Sequence, residues 1–156
     1  IRVAGVGDRL SAGEVSIDVL HPPADGPPGV ENVRSLVLLV RHRGHSVLLT
    51  GDLEGLGVDI VTARRTDPVD VLMTPHHGSG ANRAGDLADW ARPRLVVASQ
   101  GRRDGGKAEA VYRRKGIPYW STWPDGAITI RSHATGLTAD SFATGRREVV
   151  RPGAGP

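Results

Sequence analysis

The sequence predicts an α/β fold in which a mixed β-sheet carries helices on its outer face. Short apolar runs typical of buried strands alternate with segments of helical periodicity between residues 45 and 115. Strands paired by tight turns frame this alternating region, which predicts a layered sheet with helical cover. With 156 residues, the chain is long enough for one domain with a core of its own.

Composition limits the chemistry that the chain can perform. It contains no cysteine, so disulfides and thiolate metal sites are excluded. A formal charge of +3 and a pI near 9.9 tolerate an anionic partner but fall short of a nucleic-acid-binding tail. Apolar runs reach about six residues, far below the ~20 that cross a bilayer, so we expect a soluble segment.

The first half of the chain is predicted to consist mainly of strands. Residues 1–13 are expected to be irregular, and Glu14–Leu20 alternates polar and apolar residues as a half-buried strand does. Prolines and glycines predict a loop over residues 21–32. Ser35–His42 and His45–Thr50 flank Arg43-Gly44, which predicts a hairpin of two interior strands. A weakly helical pattern follows over Leu53–Arg65.

The second half alternates strands and helices before it turns to β-structure. Its expected strands are Pro68–Met73, Arg94–Ser99, Ile117–Thr122, Ala127–Arg131 and Leu137–Phe142, and its expected helices are Arg83–Ala91 and Lys107–Lys115. Pro124-Asp125-Gly126 predicts a turn joining the strands on either side of it. We expect residues 1–145 to form a single domain and residues 146–156 to form a basic, disordered tail.

Two motifs place metal-binding side chains directly after predicted strands. They are Leu48-Leu49-Thr50-Gly51-Asp52 and Met73-Thr74-Pro75-His76-His77-Gly78-Ser79. A strand that ends in Gly-Asp or His-His delivers a carboxylate or an imidazole to one edge of the sheet, where separate strand ends can converge on a cation. The alternative is that the first motif is a plain turn and the second a solvated loop. Oxygen and nitrogen donors suit Zn²⁺ or Mn²⁺.

The order of motifs resembles the metallo-β-lactamase-like region of ComEC-type competence proteins, which import DNA. The resemblance rests on Leu20-His21-Pro22-Pro23, on the Thr-Gly-Asp and Pro-His-His-Gly-Ser motifs at their observed separation, and on Asp125-Gly126-Ala127-Ile128. It covers residues from about 14 to 142. The superfamily's His-x-[His or Asp]-x-Asp-His signature does not occur in the chain, which therefore resembles the C-terminal half of the domain, the second half of an αββα sandwich.

The resemblance implies a role for each motif residue. Asp52 corresponds to a carboxylate that bridges two metal ions, and one of His76 and His77 to a metal ligand, with the other contacting substrate or a ligand; the sequence does not choose between them. Gly78 and Ser79 are candidates to bring an amide and a hydroxyl to a phosphate, although a tight turn explains them equally well. Asn32, just before the strand that begins at Ser35, lies where the superfamily often has another metal ligand, and it is a further candidate to bind metal or substrate.

A basic stretch over residues 102–115 is a candidate to follow a phosphate backbone, with Arg102, Arg103 and Lys107 as its first cations. The alternative is a solvated helix face. ComEC relatives often have a histidine in this stretch, where this chain has Arg-Arg-Asp-Gly-Gly.

Together these features predict the C-terminal part of a metal-dependent, nuclease-like hydrolase from a bacterial plasma-membrane DNA-uptake protein. Because a catalytic zinc needs about three protein ligands, the site in this chain is incomplete and we expect little or no activity from the chain alone. The expected partners are DNA, the missing N-terminal half of the domain and the transmembrane channel. A non-catalytic DNA-binding module and a hydrolase of another ester, such as a thioester, are the alternatives.

Overall fold

The computed structural model describes residues 4–79, 83–101 and 106–150. Its strands are β1 (Arg9–Ala12), β2 (Val15–His21), β3 (Val37–His42), β4 (His45–Leu49), β5 (Val71–Met73), β6 (Leu95–Ala98), β7 (Tyr119–Ser121), β8 (Ile128–His133), β9 (Gly136–Ser141) and β10 (Arg147–Val150). Its helices are α1 (Leu56–Thr62), α2 (Ala84–Ala91), α3 (Gly106–Arg114) and a one-turn α4 (Thr122–Asp125), with 3₁₀ turns at Glu31–Arg34 and His76–Gly78. Within these described ranges, no helix combines the length and the apolar character that crossing a membrane requires.

A seven-stranded mixed sheet organises the molecule, as the sequence predicts. Its strands lie side by side in chain order from β1 to β7. Neighbours from β1 to β4 are antiparallel, and neighbours from β4 to β7 are parallel. Each parallel step needs a crossover from one edge of the sheet to the other, and α1, α2 and α3 supply these crossovers.

The predicted β3–β4 hairpin is confirmed, with Arg43-Gly44 as its turn. Arg43 has a φ of 52° and Gly44 a φ of 79°, so both central residues are left-handed. This is the type of two-residue turn whose twist matches that of paired strands.

Two apolar cores cover the two faces of the sheet. On one face, α1, α2 and α3 pack side chains such as Val58, Leu87 and Tyr112 against Leu48 and Leu72. On the other face, a three-stranded antiparallel sheet of β8, β9 and β10 packs against the large sheet. This second core is formed by Val71, Leu95, Trp120, Leu137, Ala139 and Val150. Since strands β5 to β7 are covered on both faces, their near-continuous apolar sequence is explained.

The predicted turn at Pro124-Asp125-Gly126 does not join two paired strands. β7 pairs in parallel with β6, and β8 pairs with β9. Between them, residues 122–125 form α4 because side chains close the turn locally. The Asp125 carboxylate accepts a hydrogen bond from the Ser121 amide, and the Thr122 hydroxyl exchanges hydrogen bonds with the backbone of Gln100.

Both ends of the domain contain more strand than the sequence predicts. Residues 9–12, expected to be irregular, form β1 against β2. The tail expected from residue 146 instead begins with β10, because Arg147–Val150 pairs with β9 and buries Val150 in the second core. The remaining residues of the expected tail, 151–156, lie outside the described part of the chain.

Candidate metal centre

The two predicted motifs follow neighbouring parallel strands. Asp52 lies just after β4, and the His-His loop just after β5. Ser99 lies just after β6, the next strand of the sheet. Because adjacent strands are about 4.8 Å apart and all three end at the same edge, these loops are brought together there.

The Thr-Gly-Asp motif is held at this edge by hydrogen bonds to the neighbouring strand. The buried Thr50 hydroxyl donates to the Met73 carbonyl at 2.6 Å, which ties the end of β4 to the end of β5. Gly51 is left-handed, with a φ of 54°, and a Cβ there would lie 3.4 Å from the Cβ of Ser35. The Gly51 carbonyl accepts a hydrogen bond from the His76 amide at 3.1 Å. The backbone therefore links the two motifs directly.

The His-His-Gly segment has an unusual backbone. His76, His77 and Gly78 have consecutive positive φ angles of 47°, 56° and 80°. A left-handed conformation costs a residue with a side chain about 1–3 kcal/mol, so the surrounding structure must compensate for it. Glycine is required at 78, because a Cβ there would lie 2.6 Å from the Tyr119 hydroxyl. Burial raises the pKa of that tyrosine.

His77 is oriented towards Asp52. Its Nδ1–H donates to the Ser99 carbonyl at 2.6 Å, which leaves the lone pair of Nε2 available. Nε2 lies 3.7 Å from Oδ1 of Asp52. A backbone carbonyl that accepts from one ring nitrogen, and so leaves the other nitrogen able to bind a cation, is typical of a metal-binding histidine.

His76 is oriented differently. Its Nδ1–H donates to the Glu54 carboxylate at 2.9 Å, and its ring is half-buried. The two imidazole rings meet edge to face, with centroids 6.4 Å apart. The geometry thus distinguishes two histidines that the sequence leaves equivalent, since among the described residues His77 approaches Asp52 whereas His76 contacts Glu54.

The distance between Asp52 and His77 is close to that between two ligands of one cation. Metal–ligand bonds of about 2.0–2.2 Å at a tetrahedral angle separate two donor atoms by about 3.4 Å. The observed 3.7 Å is a few tenths of an ångström wider. Both side chains are open to solvent, with 50% of Asp52 and 61% of His77 exposed. Over residues 4–79, 83–101 and 106–150, no three His, Asp or Glu side chains are grouped so that they could hold a metal ion.

The other predicted contact residues lie in turns. The Gly78 and Ser79 amides donate to the Pro75 and His76 carbonyls and so close a tight turn, while a phosphate contact by Gly78 or by the Ser79 hydroxyl stays a prediction. The Ser79 hydroxyl oxygen is buried without a hydrogen-bond partner among the described residues. Asn32 lies half-buried in the first 3₁₀ turn, where its carbonyl accepts a hydrogen bond from the Ser35 amide.

The basic stretch is described only in part. Arg102 and Arg103 lie outside the described residues. Lys107 is exposed on the first turn of α3. Its neighbour Ala108 packs beside Gly78, because a Cβ added to Gly78 would lie 3.7 Å from the Cβ of Ala108. Lys107 therefore lies on the same side of the molecule as the His-His loop.

Two residues that orient the histidines were not anticipated from the sequence. Glu54 follows Asp52 by two positions and reaches His76, and Ser99 contributes only a backbone carbonyl to His77. An acidic residue close to a Gly-Asp motif was the available signal for Glu54. A backbone acceptor has no sequence signal.

The chain is similar in sequence to parts of longer known proteins. ComE operon protein 3 of Bacillus subtilis is 32% identical over 99 residues, which are 63% of this chain and 13% of that protein. Recombination protein 2 of Haemophilus influenzae is 40% identical over 72 residues, 46% of this chain and 9% of that protein. The uncharacterized Escherichia coli protein YcaI is 27% identical over 139 residues, 85% of this chain and 18% of that protein. The chain thus spans less than a fifth of the length of these relatives.

A crystal structure from Parabacteroides distasonis, described as a proposed metal-dependent hydrolase, has a similar fold. The TM-score is 0.51 at 18% sequence identity, over 77% of this chain and 56% of that one. At this identity the likeness concerns the fold alone. No family model matches the chain.

Proposed function

We propose that this chain, whose relatives and fold support a ComEC-type metallo-β-lactamase-like segment, contributes Asp52 and His77 to the divalent-metal centre of a phosphodiester hydrolase acting on DNA. The observation that carries the proposal is the 3.7 Å approach of the His77 Nε2 to the Asp52 carboxylate, with the tautomer of His77 set by the Ser99 carbonyl. Zn²⁺ and Mn²⁺ both suit this pair of donors.

A divalent cation bound at such a centre supplies Lewis-acid stabilisation of a phosphate and a hydroxide nucleophile at neutral pH. The chain's own residues would perform the remaining tasks. Asp52 and His77 would hold the cation at the ends of β4 and β5, while the hydrogen bond from His76 to Glu54 orients the second imidazole to contact substrate. Lys107, on the same side of the molecule, would attract the DNA backbone.

Two donors bind a cation weakly, so we propose that the remaining ligands come from an N-terminal half of the domain. A stripe of apolar side chains on the sheet face opposite α1 supports this partner. Ile17 is directly opposite Val40, and Leu38 is directly opposite Leu49, so their registers place all four on one face. Each is only half-buried. If a longer product covers this stripe, it will bind less of the dye ANS than this chain does.

The proposed location of the segment is in a plasma-membrane protein. The relatives of this chain named for the ComE operon and for recombination support a DNA-uptake role, in which the segment would be attached to a transmembrane channel of the same plasma-membrane protein. The segment would then act on DNA beside that channel.

A metal titration of the chain tests the assignment of ligands. We expect Zn²⁺ or Mn²⁺ to bind weakly in calorimetry, and Asp52→Asn or His77→Gln to weaken that binding at least about tenfold. The exposed His133 is the matched control. It lies at the end of β8 in the three-stranded sheet, so His133→Gln removes an imidazole that belongs to neither motif. Equal affinities in the wild type, Asp52→Asn and His77→Gln would exclude the proposed pair.

The catalytic role requires the longer protein. When the chain is joined to an N-terminal half, Asp52→Ala should abolish metal-dependent cleavage of DNA. Undiminished cleavage in that variant would remove Asp52 from the mechanism.

The exposed Lys107 near the His-His loop also favours a second function, a DNA-binding module without catalysis. The two functions differ in their response to a chelator. A binding module should retain its DNA affinity in EDTA and lose it with rising salt, whereas cleavage by a metal centre should stop in EDTA. Testing a thioester in place of DNA in the same cleavage assay shows whether the protein is instead a hydrolase of another ester.

A further inference from the structure

A cavity lies on the helical face of the sheet, beside α1. Its volume is about 750 Å³. Leu20, Leu39 and Val61 contribute apolar residues to its lining. Residues 62–67, Asp89, Trp90 and Arg92 complete the lining where α1 and α2 end. α1 begins four residues after Asp52 and is about 10 Å long, so its C-terminal end is carried away from the candidate metal centre.

Four arginines line this cavity: Arg41, Arg64, Arg65 and Arg92. Two of them have partners within the protein. Arg41 pairs with Asp18, and Arg92 donates to the Thr66 carbonyl at 2.7 Å. The guanidinium groups of Arg64 and Arg65 make no hydrogen bond or ion pair with any described residue, so their donors are available to a ligand.

Acidic residues do not cancel this positive charge. Of the two aspartates in the lining, Asp89 is paired with Lys115 at 2.6 Å. That leaves Asp67 against four arginines, of which only Arg41 is paired with another carboxylate. Cations after the C-terminal ends of helices are also favoured by the helix dipole, but the dipole alone does not enclose them around a cavity.

Trp90 provides an aromatic wall. It lines the cavity and is half-buried, and its indole N–H donates to the Arg64 carbonyl. This hydrogen bond satisfies the polar group of the indole and links the ring to the segment that carries the free guanidinium groups. Part of Trp90 packs against the core on the helical face, and its exposed part offers apolar and stacking contacts.

We propose that this cavity binds a nucleotide. The phosphate contacts Arg64 and Arg65, whose planar guanidinium groups match phosphate oxygens in pairs, and the base packs against Trp90 above the leucine side chains. The volume is within the range of about 300–1,000 Å³ that is usual for small-ligand sites. The site is independent of Asp52 and His77, so it holds whether or not the proposed metal centre does.

Calorimetric titration of the chain at low salt with four probes tests the proposal. The probes are dAMP, 2-deoxyribose 5-phosphate, inorganic phosphate and a single strand of ten thymidines. We expect dAMP to bind about fivefold or more tightly than deoxyribose phosphate, because stacking of a base on an aromatic ring contributes at least that factor. Comparing the affinities for dAMP and for the ten-mer shows whether the cavity takes a free nucleotide or one that is part of a strand.

Variants assign the two halves of the ligand. The double variant Arg64→Ala, Arg65→Ala should lose at least tenfold in affinity for all four probes. Its matched control removes two exposed arginines from elsewhere, Arg43→Ala with Arg147→Ala, and should bind as the wild type does. Trp90→Leu should abolish the preference for dAMP over deoxyribose phosphate while Trp90→Phe retains it, and melting temperatures confirm that each variant is folded.

Several outcomes overturn the proposal. Absence of saturable dAMP binding, or equal dAMP affinity in the wild type and the Arg64/Arg65 double variant, excludes the site. Phosphate binding as tight as dAMP binding excludes a nucleotide as the ligand. Because Asp52→Asn should leave dAMP binding unchanged, loss of the metal centre and loss of the nucleotide site are separate results.

Discussion

Replacing Gly78 by alanine is the sharpest test of how the His-His loop is held. A Cβ at this position would lie 2.6 Å from the Tyr119 hydroxyl and 3.0 Å from the side-chain nitrogen of Gln100. The φ of 80° adds a left-handed conformation that costs a non-glycine residue roughly 1–2 kcal/mol. Forcing an extra methyl group into a packed site costs a further ~1–3 kcal/mol. The expected loss of unfolding free energy is therefore about 2–5 kcal/mol.

Comparing the urea unfolding of Gly78→Ala with that of Gly116→Ala separates the cost of the left-handed backbone from the cost of the packing clash. Gly116 has a similar φ of 74°, but no atom lies within 4 Å of the position that its Cβ would take, so only the conformational cost of about 1–2 kcal/mol applies there. Tyr119→Phe should restore much of the difference in the Gly78→Ala background, because it removes the clashing oxygen. That hydroxyl has no hydrogen-bond partner among the described residues, so Tyr119→Phe alone should be nearly neutral. A loss in Gly78→Ala no larger than in Gly116→Ala would refute the packing argument.

Three further predictions concern the residues around this edge of the sheet. Thr50→Val should lower the unfolding free energy by about 1–3 kcal/mol, because it removes the hydroxyl by which the buried Thr50 donates to the Met73 carbonyl; unchanged urea midpoints would contradict this. Burial lowers the pKa of His21, so the unfolded chain binds the proton more readily and stability should fall as pH drops below about 6.5, the unfolded pKa of histidine. His21→Asn keeps a donor for the Ser35 carbonyl and should remove that part of the pH dependence in melting curves; an unchanged slope would exclude His21 as its source. His77→Asn should be tolerated better than His77→Val in thermal melts, because asparagine accepts a left-handed backbone and a β-branched residue does not; equal melting temperatures would contradict the observed φ of 56°.

Local patterns in the sequence predicted most of the large sheet. Apolar runs identified β4, β5 and β6, and Arg43-Gly44 identified the β3–β4 hairpin. These features depend on short-range chemistry, namely turn residues and burial on both faces. The strand Tyr119–Ser121 was found as well, but its partner was assigned wrongly, because pairing depends on which distant strand the segment meets.

The same division applies to the candidate site. The Thr-Gly-Asp and His-His motifs predicted which side chains carry the chemistry, since a residue type that follows a buried strand is visible in the sequence. Their separation of 3.7 Å and the difference between His76 and His77 depend on the Ser99 carbonyl and on Glu54. The Ser99 carbonyl is a backbone group that follows another strand, and residue types do not encode its position.

The sequence by itself therefore determined the class of fold, the donor atoms available to a cation and the absence of thiolate chemistry, because each follows from residue type and local periodicity. Tertiary structure alone decided the order of the strands, the orientation of each imidazole and the gathering of Arg64, Arg65 and Trp90 around one cavity. The physical reason is that these arrangements arise from contacts between segments far apart in the chain. Such contacts are selected by the packing of the whole domain rather than by any one stretch of it.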